Sequence, residues 1–238
     1  MGSRSKKFAT GLAIVAAFAA PVAGSAQVLT FEGILSPPGA NTSPVGNFYN
    51  GGAGPNFGIV FSPNALAICL DTLAFTCPNS NVSRGGLGDP NSQGTGLFFL
   101  TGSSTFMNSL LGFGDGFSFF YTTIGAVGSF NVWSGLDGTG TLLASLALPL
   151  TPNGGCPAFP TELFCPFVAA GVAFAGTAHS VVFAGANNGI AFDDVTFGSA
   201  TPGSVTPEPA TIALVATGLV GVALMTRKRR AFPSKRLA

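Results

Sequence analysis

Phe117-Ser118-Phe119-Phe120-Tyr121-Thr122-Thr123-Ile124 is the stretch on which the fold turns. Successive strand residues point to opposite faces, so Phe117, Phe119 and Tyr121 share one face and Ser118, Phe120 and Thr122 the other. A strand with aromatic rings on both faces belongs inside a sheet, covered on both sides. Outward from it, short β-branched and aromatic runs separated by Gly, Pro, Asn and Asp recur at 28–34 (VLTFEGI), 57–61, 65–75, 96–101, 126–134, 141–148, 166–175, 178–184 and 189–197. No window between residues 27 and 206 sustains apolar residues at helical spacing. Leu136-Asp137-Gly138-Thr139-Gly140 separates two of the runs and carries the Asp-Gly pair that tolerates the positive φ of a hairpin turn. The sequence has no fixed repeat of solenoid period. The expected fold is therefore all-β, an antiparallel β-sandwich of jelly-roll-like form, with many of the 23 phenylalanines filling its core.

Charge is distributed in a way that the total conceals. Only 8% of the 238 residues are charged, against about 25% in an ordinary soluble domain. Between residues 27 and 206 the only basic residue is Arg84, set against eight acids, a formal charge of −7. The remaining nine basic residues lie in the two tails. A body with one cation cannot neutralise a row of phosphates, which excludes nucleic-acid binding, and without lysine it has no amine nucleophile.

Both ends read as targeting segments. Arg4, Lys6 and Lys7 precede an apolar run from Phe8 to Ala20, and Gly24 and Ala26 place small residues before a cut at Gln27; residues 1–26 are expected to be a secretory signal peptide. At the far end, Ala210–Thr226 is an uncharged apolar stretch followed at once by Arg227, Lys228, Arg229 and Arg230. It is expected to form a C-terminal transmembrane helix whose basic flank stays on the cytoplasmic side, which leaves the body across the membrane. Pro207-Glu208-Pro209 stands just before it, semi-extended because each proline fixes its own φ and restricts the preceding residue.

The tripeptide, apolar segment and basic cluster together resemble the PEP-CTERM sorting domain. The resemblance covers residues 206–230. It implies a Gram-negative bacterium that makes exopolysaccharide, and an exosortase that recognises the tripeptide and processes the protein at the cell surface. The expected organisation is a signal peptide (1–26), a β-sandwich domain (27–203) and a sorting and anchor segment (204–238). The body would be held in the inner membrane before processing and then reach the outer surface or the exterior.

The cysteines agree with an oxidising destination. They form two local pairs, Cys69 with Cys77 and Cys156 with Cys165, whose short loops close at small entropic cost, although three connectivities exist and sequence alone does not choose.

Candidate site residues are few. Glu32 in the first strand and Asp193 and Asp194 in the last could offer hard carboxylate oxygens to calcium if those strands neighbour one another. Adjacent strand residues point apart, so both aspartates reach one ion only across a bulge. These ends resemble those of calcium-stabilised carbohydrate-binding jelly rolls, which implies structural Ca²⁺ and a glycan ligand. Trp133, the sole tryptophan, shares a strand face with Asn131, a pairing suited to stacking a sugar ring beside an amide. His179 is the only histidine, and no nucleophile elbow, zinc-protease or phosphate-loop motif occurs. The expectation is no enzymatic activity. The expected role is structural or adhesive, with exopolysaccharide or further copies of the chain as partners; a specific carbohydrate-binding module is the alternative.

Overall fold

The computed structural model describes residues 26–36, 42–69, 94–123, 125–152 and 166–203. The signal-peptide segment, the Pro207-Glu208-Pro209 tripeptide, the apolar stretch 210–226, the basic cluster Arg227–Arg230, and Cys77, Cys156 and Cys165 lie outside them. Among the described residues no helix is long and apolar enough to cross a membrane.

The described residues form twelve strands, in order β1 (Gln27–Leu29), β2 (Ser43–Pro44), β3 (Ile59–Phe61), β4 (Leu66–Cys69), β5 (Thr95–Phe98), β6 (Ser104–Phe113), β7 (Gly116–Thr123), β8 (Gly128–Trp133), β9 (Leu142–Leu148), β10 (Val168–Ala173), β11 (Ala178–Ala184) and β12 (Ile190–Phe197). One sheet has seven strands in the order β10-β7-β12-β5-β4-β2, with β1 also on β12, and the other has five in the order β3-β6-β11-β8-β9. All pairings are antiparallel. The last eight strands form nested pairs, β8 with β9, β7 with β10, β6 with β11 and β5 with β12. This nesting is a single long hairpin, closed at the β8–β9 turn, rolled into two facing sheets, the winding of a jelly roll.

Aromatic rings hold the sheets together. Phe119 of the seven-stranded sheet stands 4.9 Å from Phe130 and 5.8 Å from Phe183 of the five-stranded sheet, and 5.3 Å from Phe192 on its own. Phe117, Phe119 and Tyr121 are buried in this core, as their alternation requires, and β7 lies between β10 and β12. On the outer face of the same sheet Leu66, Ile68, Phe98 and Ala191 gather with Phe167, while Phe120 packs against them. That second cluster covers the outer face of β12 at Ala191, and β12 is buried along its whole length.

Several expected strands change. The run 28–34 ends as a strand at Leu29, because Phe31 and Gly33 take φ of +57° and +80° and turn the chain away. The run 65–75 is strand over Leu66–Cys69, its remainder lying outside the described residues. β6, the longest strand among the described residues, has no counterpart among the expected runs. Its inward positions include Thr105 and Ser109 as well as Met107, so apolar alternation is weak. Buried Thr105 is tolerated because its hydroxyl meets that of Ser62 at 2.7 Å. The β8–β9 connection is a hairpin through a short 3₁₀ turn at Leu136–Gly138, with Asp137 and Gly138 at φ +55° and +70°.

Candidate functional site

The first and last strands are neighbours: Gln27, Val28 and Leu29 pair with Phe197, Thr196 and Val195. Just beyond that ladder the chain ends of β1 and β12 and the start of β5 build an acidic junction. Phe31 leaves β1 at a φ unusual for a bulky residue. Its N–H donates to the Tyr49 hydroxyl at 2.7 Å, and its fully buried ring packs edge-on against Tyr49 and Phe61, 5.9 and 5.8 Å away. The turn delivers Glu32 to β5, where Oε1 accepts the Thr95 N–H at 2.9 Å. A Cβ on Gly94 would stand 2.9 Å from both Glu32 carboxylate oxygens, so this close approach requires glycine.

On the other side β12 bulges. Its register against β7 shifts between Asp193 and Thr196, and Asp194 takes φ +46°. Both aspartates are buried. Asp193 Oδ1 accepts the Asp194 N–H at 2.8 Å, and the Thr196 hydroxyl donates to the Asp194 carbonyl at 2.8 Å. The irregularity that two adjacent aspartates would need to serve one ion is thus present. Glu32 and Asp193 also act on the same phenol. Burial above all pushes the Tyr49 pKa well up, the bond from Phe31 works the other way, and the charges of Asp193 and Glu32 raise it further. Among the described residues, however, no three His, Cys, Asp or Glu side chains gather as a metal-holding group.

Tyr49 was not singled out in the sequence, where it sits in the loop Val45-Gly46-Asn47-Phe48-Tyr49-Asn50. Its raised pKa has a definite consequence. Below the unfolded value, 10.0, both states keep the proton and the contribution is fully present. Above it the unfolded chain alone ionises, and stability falls by about 1.4 kcal/mol per further pH unit until the folded phenol follows. Denaturant titrations across this range should show that slope. Tyr49→Phe should flatten it and, by leaving the Phe31 N–H unbonded, cost about 1–3 kcal/mol at neutral pH. An unchanged alkaline slope would show that Tyr49 is not the group responsible.

The second candidate lies on the outer face of the five-stranded sheet. Phe130 and Val132 point into the core, and Asn131 and Trp133 point away from it, both half-buried. The turn after Trp133 is fastened back across β6 and β11. Asp137 exchanges two bonds with Asn108, at 2.7 and 2.9 Å, and the Ser180 hydroxyl accepts the Gly138 N–H and donates to the Gly135 carbonyl. Gly138 lies close over the indole, whose Nε1 is buried with no hydrogen-bond partner among the described residues. The N–H is therefore closed to a ligand, and any stacking would use only the exposed part of the ring. Asn108 and Ser180 anchor this wall and carry no sequence signature.

His179 is a structural tie, its Nδ1–H donating to the Ser109 carbonyl at 3.1 Å. Cys69 closes β4, buried and disulfide-bonded; the pairing lies outside the described residues.

No curated protein matches the chain. A family model does, over residues 205–230: the PEP-CTERM protein-sorting motif. Carried behind an antiparallel all-β body, this segment is a PEP-CTERM protein-sorting motif, which implies export, membrane anchoring and then processing by an exosortase.

Proposed function

We propose that the processed protein is a structural or adhesive component of the outer surface or extracellular matrix, associated with exopolysaccharide and without catalytic activity. The sorting motif carries this reading, since it implies export and processing by an exosortase. Composition supports it: a body with a single arginine and no lysine relies on Asn, Ser and Thr to meet solvent, which suits contact with neutral hydroxylated polymers. A specific calcium-stabilised carbohydrate module is the second reading. It is favoured by the approach of Glu32 and Asp193 to one phenol at the β1–β12 junction.

One experiment separates them. The processed protein from its own cells is sedimented with exopolysaccharide from the same cells, with and without chelator, as the natural chain and as Trp133→Ala. A structural component should co-sediment in all four cases. Retention that saturates, requires calcium and falls at least tenfold in Trp133→Ala would establish the specific module. Protein left in the supernatant throughout would reject both.

A further inference from the structure

Sheet edges expose unpaired backbone donors and acceptors, and proteins blunt them with short strands, proline, charge or bulges. β2 contains Pro44 and β3 is three residues long. β9 has neither protection. It is a seven-residue edge, Leu142-Leu143-Ala144-Ser145-Leu146-Ala147-Leu148, without charge or proline, and among the described residues it pairs with β8 alone. Only a bulge opposite Trp133, at the Leu142 end, interrupts its ladder.

The edge is self-complementary. If a second copy runs antiparallel about a two-fold axis at Ser145, then Leu142 stands opposite Leu148, Leu143 opposite Ala147, Ala144 opposite Leu146, and Ser145 opposite itself. No pair is charged or sterically mismatched. The faces agree at the centre, where Ala144 and Leu146 pack toward the core and Ser145 is exposed; beyond the bulge they do not, since Leu143 packs toward the core opposite exposed Ala147 and exposed Leu142 stands opposite buried Leu148. A register shifted by one residue would turn the inward pair outward. Three of the large apolar residues left exposed, Leu142 at 47%, Leu150 at 54% and Val127 at 66%, flank the two ends of this strand. The two-fold brings Leu142 of one copy to the Leu148–Leu150 end of the other. β10, the uncharged edge of the other sheet, packs beside β9 on the same side of the sandwich.

We infer that β9 pairs with β9 of a second copy about Ser145, joining two five-stranded sheets into one of ten strands. This adds self-association to the structural role proposed above and rests on that reading.

The test uses the processed protein purified from its own cells, with single cysteines introduced at exposed positions. Opposed residues in an antiparallel pair have Cα atoms about 4.5–5.5 Å apart, within reach of a disulfide. Ser145→Cys should therefore give a covalent dimer on mild oxidation. Ala147→Cys should not, because the two copies of residue 147 would be four registers apart, about 13 Å. Sedimentation of the natural protein should give twice the chain mass, and Ser145→Lys, which opposes two ammonium groups, should give the monomer. A monomeric natural protein, equal cross-linking at 145 and 147, or a dimer that survives Ser145→Lys would each overturn the pairing. A monomer that still co-sediments with exopolysaccharide removes the β9 pairing and leaves the surface role standing. A cross-linked dimer that fails to co-sediment removes the exopolysaccharide association and leaves the pairing.

Discussion

Replacing Phe119 by alanine is expected to cost about 3–5 kcal/mol, the range for a large aromatic deleted from a packed core. The ring is fully buried and meets Phe117, Tyr121, Phe130, Phe183 and Phe192 with centroids 4.9–6.1 Å apart. It belongs to one sheet and fills space between partners on both. The surrounding backbone is ladder-bonded on both sides of β7, so the cavity cannot collapse readily. Against a total stability of about 5–15 kcal/mol this is a large fraction, and the urea midpoint should fall sharply with an unchanged slope. Leu111→Ala is the contrasting control. Leu111 is 80% exposed beside the irregular end of β6, and its loss should stay within about 0.5 kcal/mol. Equal effects at the two positions would mean that the aromatic layer does not hold the sheets together.

How much of this was readable in advance depended on whether a strand's inward face is apolar. β7 announces itself because Phe117, Phe119 and Tyr121 alternate, and β12 because Phe192, Val195 and Phe197 are bulky. The sequence leaves the neighbouring of the first and last strands as a condition, and the pairing of β1 with β12 meets it. β6 has weak apolar alternation because Thr105 and Ser109 face inward, and the long-range bond by which the Ser62 hydroxyl meets that of Thr105 leaves no local trace. The opposite error arose at 28–34, where a β-like composition extends past the real end of the strand. Nothing in the order Thr30-Phe31-Glu32 says that Phe31 will take a left-handed conformation held by the Tyr49 hydroxyl.

The acidic junction was half legible for the same reason. Carboxylates near the ends of the body draw attention in a chain with so few charges, whereas Tyr49, Gly94 and Thr95 become informative only when tertiary structure brings them to Glu32 and Asp193. Two adjacent aspartates reach one ion only across a bulge, and β12 has that bulge at Asp194. On the five-stranded sheet the common face of Asn131 and Trp133 follows from period-two alternation, but the clasp of Asn108 on Asp137 does not, since it joins residues 29 apart in the chain.

The largest expected effect lies at the C-terminal segment. Alanine in place of Pro207, Glu208 and Pro209 should convert an all-or-none outcome: the natural chain appears outside the membrane as a shortened form, and the variant stays full-length at its C-terminus and membrane-held. The variant removes the Glu208 carboxylate together with two prolines, each of which restricts its own φ and the residue before it. Basic residues that flank an apolar segment are retained in the cytoplasm, so Arg227–Arg230 are expected to leave the tripeptide across the membrane. Intact mass and cell fractionation measure both quantities at once. A mature natural form beginning at Gln27 and ending near Glu208, lost in the variant, would tie release to the tripeptide. Identical membrane-bound chains in both strains would reduce the segment to an anchor, and the route to a matrix, on which the structural role depends, would be gone.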